Sequence, residues 1–390
     1  MRRISISFIV LLFVMVQCSK DPSEVIADLK EDIANLPVNT EDRQEEGEKL
    51  LSKIQRLEDT ENDKRVQVLS KDTSNAVIAI SSDGSTLVAN VDNDWIVLSR
   101  NGLHSNSGNS MPIRIITSYY GQYVLYATNK NNQCLYSIID LGNDGSKFDI
   151  QRDVLEIDCN NSVVIDDKGQ LFYDSFGDVF RYSPKDKTDK KATLILGKSI
   201  FKSNYPKIIN TLNLISIPDG LWLLYGAAGY YDLYHYSGTP NSARKVYPGV
   251  ASPTVQYTAN SLFSLEGETL TSDNQPTLFL YSGEAGRYSL QGFRLPATPW
   301  KSFRVPVRKT VYYLSNFDQF LYVKDNYPVR YNVSTAKEYK LPLRASQIFV
   351  HQSGLVYINS KNQLVLRKEP YSDFEKKLFQ LKEELEQNLR

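Results

Sequence analysis

The chain has 390 residues, 41% of them hydrophobic and 23% charged, with Lys+Arg and Asp+Glu both at 45. That composition supports a sizeable buried core and excludes a disordered, collagen-like or polytopic membrane chain. The even charge balance gives no global field toward nucleic acid. Three Cys and three His leave too few ligands for a four-cysteine zinc module or a dedicated metal centre, and no cofactor is expected.

Arg2 and Arg3 precede the apolar run Ile4–Val16, whose 13 residues at about 1.5 Å each fall short of the roughly 30 Å hydrocarbon core. This pattern predicts a targeting segment rather than a spanning helix. Cys18 follows the run, and Ser19-Lys20-Asp21-Pro22 turns polar at once. The arrangement resembles the signal of bacterial lipoproteins, in which the cysteine becomes the lipidated first residue of the mature chain. Gln17 stands where Gly, Ala or Ser is usual and Met15 where Leu is usual, a relaxed pattern similar to that of spirochaetal lipoproteins. The resemblance implies lipidation at Cys18, a membrane partner reached through that anchor, and a place in the bacterial envelope, foremost at the outer membrane. Two or more acyl chains hold a protein stably at a bilayer where one does not.

Residues 19–64 read as an acidic helical segment. Ile26, Leu29, Ile33 and Leu36 recur at helical spacing after Asp21-Pro22, and Leu50, Leu51, Ile54 and Leu57 form a second stripe. At the other end, residues 371–390 carry Ser372-Asp-Phe-Glu375, a capping box, ahead of Leu378, Leu381, Leu385 and Leu389. Each stripe is too narrow to fold alone, so the three helices are expected to bury their stripes together.

Between them, residues 65–370 repeat one unit: an apolar strand, a short turn, a second strand, a polar turn and a third strand. The turns centre on Gly84, Gly121, Gly169, Gly220, Gly267, Asp318 and Gly354, spaced 37, 48, 51, 47, 51 and 36 residues apart. Periods of this size with this strand pattern predict an all-β fold, a β-propeller of seven four-stranded blades with short terminal helices. A β-sandwich uses similar short strands but does not keep one three-strand motif in register seven times. Outer strands are expected at Asp153–Ile157 and Glu338–Leu341. The last copy lacks one, and Arg65–Leu69, a strand without a hairpin partner, is expected to close the ring there.

A search for chemistry finds no nucleophile elbow, zinc-protease, Walker or dinucleotide signature. His104 reads as a loop residue, His235 and His351 as strand residues, and Asp166-Asp167 as turn formers. Cys134 opens the third strand of the second unit and Cys159 ends the expected outer strand. Antiparallel neighbours bring these two ends to one rim, so an exported chain should join them in a disulfide.

The binding candidates lie on loops joining second to third strands and outer strands to the next blade. They are Asp92 and Asp94, Phe176 and Asp178, Tyr230 and Tyr231, Asp273, Trp300, Lys324 and Tyr327, aromatics and charges of the kind recognition surfaces use. The leading expectation is a non-enzymatic, membrane-anchored envelope lipoprotein that binds a protein or glycan ligand, or acts as a scaffold, through its propeller face. The alternative is an envelope hydrolase or lyase acting on glycans with carboxylates in the central channel.

Overall fold

The computed structural model describes residues 21–108, 111–131, 133–143, 145–184, 192–201, 211–227, 230–258, 277–282, 289–296, 298–304, 312–314 and 319–389. Among these, no helix is long and apolar enough to cross a membrane. Two compact units are present, Met1–Arg65 with Pro370–Arg390 and Val66–Glu369. Cys18 lies outside the described residues.

The first unit holds α1 (Pro22–Ala34), α2 (Thr40–Asp63) and α3 (Asp373–Asn388). α1 begins where the Asp21 carboxylate accepts from the Ser23 N–H at 2.8 Å, with Pro22 in the first turn, where its missing N–H costs nothing. α3 begins on the capping box, Ser372 Oγ accepting from Glu375 N–H and Glu375 Oε2 from Ser372 N–H. Ile26 and Leu29, Leu50 and Ile54, and Leu378, Leu381 and Leu385 form one core, so each helix buries a stripe it could not bury alone. Lys382, 3% exposed, donates there to Glu58 at 2.7 Å and to Gln55.

The second unit is a β-propeller of seven four-stranded antiparallel blades. Its first strand, β1 (Val66–Ser70), belongs to the last blade. Blade one is β2 (Val77–Ile80), β3 (Leu87–Val91), β4 (Asp94–Ser99) and β5 (Gly102–Ser107). Blade two is β6 (Arg114–Thr117), β7 (Tyr123–Lys130), β8 (Gln133–Asp140) and β9 (Asp149–Asp158). Blade three is β10 (Val163–Ile165), β11 (Leu171–Ser175), β12 (Asp178–Tyr182) and β13 (Thr193–Leu196). Blade four is β14 (Thr211–Ile217), β15 (Gly220–Ala227), β16 (Tyr230–Tyr236) and the first half of β17 (Arg244–Thr258).

The second half of β17 is the inner strand of blade five, followed by β18 (Thr277–Ser282), β19 (Ser289–Arg294) and β20 (Thr298–Arg304). Blade six is β21 (Tyr312–Leu314), β22 (Gln319–Lys324), β23 (Tyr327–Asn332) and β24 (Lys337–Lys340). Blade seven is β25 (Gln347–His351), β26 (Gly354–Ile358), β27 (Leu364–Arg367) and β1. β1 runs antiparallel to β27, with Val66 opposite Arg367 and Val68 opposite Val365, so the first strand of the ring completes its last blade.

Because side chains alternate across a strand, each inner blade strand serves two neighbours. Leu87, Ala89 and Val91 of β3 pack with Val356, Ile358 and Leu366 of blade seven. Val88, one position out of phase, packs with Val124 and Ile139 of blade two. Both faces are therefore buried, and these strands read as unbroken apolar runs rather than alternating ones.

The turns at Gly84, Gly121, Gly169, Gly220 and Gly354 join first to second strands as expected, while Gly267 and Asp318 lie outside the described residues. His104 is not in a loop: it lies half-buried in β5 opposite Val97, because Gly102 turns the chain straight back as an outer strand.

Candidate binding face

At one end of the propeller the second-to-third-strand connections are tight. Asp92-Asn93, Phe176-Gly177 and Asp325-Asn326 each have positive φ at both residues: +49° and +76°, +53° and +87°, +53° and +63°. Two such residues make a type I′ turn, whose twist matches that of the flanking strands. Val91–Asp94, Ser175–Asp178 and Lys324–Tyr327 are the closing pairs. The structure thus places Asp92, Asp94, Phe176, Asp178, Lys324 and Tyr327 at hairpin tips of blades one, three and six, on one end of the ring.

Several of these groups also serve the fold. Asp92 Oδ1 accepts from Asn75 Nδ2 at 3.2 Å, and Asp178 Oδ1 accepts from the Lys198 N–H at 2.7 Å. Lys324 Nζ and Tyr322 Oη both donate to Glu338, each at 2.6 Å. Burial opposes ionisation of Glu338, but those two donors hold its carboxyl below the usual range. Arg344 Nε donates to Tyr327 Oη at 3.1 Å, and the Tyr327 ring has Lys340 Nζ 5.4 Å and Arg344 Cζ 5.7 Å from its centroid. Phe176 differs from all of them. Its side chain is 94% exposed.

Of the other candidates, Tyr230 shares this end of the ring: it pairs with Ala227 at the close of the second-to-third-strand hairpin of blade four. Tyr231 is partly buried against the core of blades four and five, because its alternation places it with Leu233. Trp300 lies within β20, the outermost strand of its blade, and not in a loop, because the chain turns at residues 295–296 and resumes pairing at Thr298. Asp273 is outside the described residues. Cys134 and Cys159 are joined by a disulfide, with Cα atoms 4.9 Å apart.

The opposite end carries the first hairpins and a denser polar network. Asp83 accepts from Ser81 Oγ, Ser85 N–H and Ser85 Oγ through Oδ1, while Arg100 Nη2 reaches its Oδ2 at 3.2 Å. His351 Nε2–H donates to the Ser85 carbonyl at 2.9 Å, and its Nδ1 accepts from the Ser353 N–H, tying blade seven to blade one. Burial pushes the His351 imidazole down to about 4.

Asp166 accepts from the N–H groups of Lys168 and Gln170, as a turn former does, and Asp167 Oδ1 accepts from the Tyr120 N–H of blade two at 2.9 Å. Burial raises both carboxyls. Asp166 thus serves its own turn and Asp167 the contact between blades two and three. Sequence reasoning missed the Asp83–Arg100 pair and the surface between blades one and two. The Ser-Asp-Gly-Ser run at 82–85 was its one signal.

No known protein-family profile matches the chain, and no curated protein matches it. Among solved structures it is similar to the β-propeller domain of Myceliophteria thermophila Cps50 (Swd1), at 11% identity and TM-score 0.44 over 78% of this chain and 97% of that one. It is also similar to TolB from Acinetobacter baumannii, at 9% identity and TM-score 0.37 over 76% of this chain and 63% of that one. Likeness to prolyl endopeptidases, at 13% identity and TM-score 0.38, covers 68% of this chain but only 41% of theirs. These likenesses concern the propeller fold alone.

Proposed function

We propose that this chain is a lipid-anchored lipoprotein of the bacterial cell envelope, tethered at Cys18, whose propeller binds a protein partner without catalysis through the hairpin tips. The observation that carries the binding role is Phe176. A bulky side chain in the left-handed region costs about 1–2 kcal/mol, and Asn or Gly would make the same turn without that cost. Leaving the ring 94% exposed there brings no packing in return, so its return comes from contact outside the chain. Anchoring rests on the apolar run Ile4–Val16 ending just before Cys18. Val66 and Arg367, at the two ends of the propeller unit, pair with each other at the end away from the tips.

Two measurements test the two halves. Labelled fatty acid should enter the wild-type chain and not Cys18→Ala; equal labelling removes the anchor. Photo-crosslinkers at positions 176 and 327 should trap the same partner in cells, while one at Ser237, in a turn at the other end, should not. Trapping from all three positions, or from none, overturns the binding face. Phe176→Asn should abolish the partner band while making the chain about 1 kcal/mol more stable by relieving the backbone.

A further inference from the structure

At the end opposite the hairpin tips, a cleft of about 480 Å³ runs between blades one and two, within the size range of small-molecule sites. One wall is the first hairpin and third-strand turn of blade one; the other is the matching pair of turns of blade two. Among the described residues no aliphatic side chain lines it: the lining is hydroxyls, amides, glycines and Arg100. Two glycines set its shape. Gly121 has φ +72° and a Cβ there would lie 2.4 Å from Thr86 Cβ; Gly145 has φ +73° and a Cβ would lie 2.4 Å from Ser99 Cβ. Along the cleft the two blades therefore approach each other at Gly121 and Gly145 more closely than a side chain would allow.

The charge and shape of the lining select a ligand class. Arg100 is paired with Asp83, whose other oxygen is held by Ser81 and Ser85, so the pair adds no net charge. Tyr120 stands at the rim with its ring 48% exposed. Burial first, then the nearby Asp167, Asp83 and Asp219 carboxylates, against the lowering effect of Arg100, raise its phenol above the ordinary value, and the Tyr119 ring meets it in a T-shaped contact at 4.9 Å. The Asp167 and Asp219 carboxylates disfavour an anionic guest beside Tyr120. Gln122 and Asn143 add amides, which both donate and accept.

We propose that this cleft binds a neutral saccharide, its hydroxyls bonded to the amide and hydroxyl lining and one sugar face stacked on Tyr120. The site is separate from the hairpin tips and does not depend on the protein-binding reading. The full chain should be titrated with neutral trisaccharides of glucose, mannose and N-acetylglucosamine, and with trigalacturonate as the charged counterpart, by saturation-transfer NMR and calorimetry.

At least one neutral sugar should bind with a Kd of about 1 mM or tighter, and trigalacturonate at least about tenfold more weakly. Tyr120→Ala and Asn143→Ala, both at exposed positions, should each weaken binding about tenfold, while Phe176→Asn leaves it unchanged. Failure of every neutral sugar, equal or tighter binding of trigalacturonate, or indifference to both cleft substitutions overturns the assignment. Since Phe176→Asn reports on the other face, loss of the protein partner and loss of the sugar are read apart.

Discussion

Protonating His351 would put a second N–H on Nδ1, which now accepts from the Ser353 N–H and meets the Ser353 hydroxyl at 2.6 Å, in a site with no exposed surface. Its neighbours Asp83 and Arg100 act on it in opposite senses, and burial dominates. The folded value of about 4 lies below the ordinary value of 6.5, so the unfolded chain takes the proton first as pH falls. The stabilising effect of neutral His351 is fully present above pH 6.5 and is lost progressively toward pH 4, by about 3 kcal/mol in all. Asp166, Asp167 and Asp174 carry raised carboxyls and act with the opposite sign, since the native state protonates first.

Melting the wild type beside His351→Gln across pH 7.5 to 4.5 cancels the carboxylates in the difference. The wild type should lose its advantage as pH falls below 6.5; a flat difference would show that His351 does not titrate as its burial dictates. At this scale the sequence was legible in part. It identified His351 as a strand residue, but not that blade one's Ser85 carbonyl, 266 positions away, fixes its tautomer.

At the scale of elements, strand alternation and the turn residues carried most of the pattern, and the places they failed have physical causes. β17 was not legible as one strand because Pro248, Gly249 and Pro253 read as breakers. In the fold, both prolines fall where the ladder shifts register, between the Tyr231–Val250 and Leu233–Tyr247 pairs and between the Val250–Ser282 and Val255–Leu280 pairs, so no backbone donor is missed. The hairpin tips were legible as candidate recognition residues from type alone. That Phe176 carries a φ of +53° was not, since a sequence does not show which of two turn residues is strained.

Blade two offers the test at this scale. Cys134 is paired opposite Ile157 in β8 and β9, and Cys159 follows one residue past the end of β9. The bridge closes a loop of 25 residues, which in the chain-entropy treatment stabilises by about 3 kcal/mol. Alkylation of the denatured chain without reductant should add no label at positions 134 and 159, and reduction should add both. Cys134→Ser with Cys159→Ser should melt earlier than the oxidised wild type; labelling of both thiols without reductant would show that the pair is unbridged.

The whole ring depends on one strand that the chain lays down first and uses last. β1 supplies five residues, yet it covers the open edge of β27 and buries Leu69 against the core shared by blades seven and one. Without it, β27 would present unpaired backbone groups at an exposed edge, a template for pairing with another chain. The consequence exceeds the apolar area of five residues, because the contact between the last and first blades also holds the His351–Ser85 and Gln352–Gly84 bonds. Deleting residues 66–70 should therefore lower the melting temperature well beyond what one exposed strand would cost, and should drive concentration-dependent association visible by light scattering.

A point control separates pairing from packing. Leu69→Ala removes buried side-chain surface but leaves the backbone ladder intact, so it should cost about 2–5 kcal/mol without association. If the deletion melts like the wild type and stays monomeric, the ring does not rely on β1 for closure, and the edge of β27 must be covered in some other way. Association of the deletion alone, with Leu69→Ala merely destabilised, would assign closure to the backbone ladder rather than to the apolar contact.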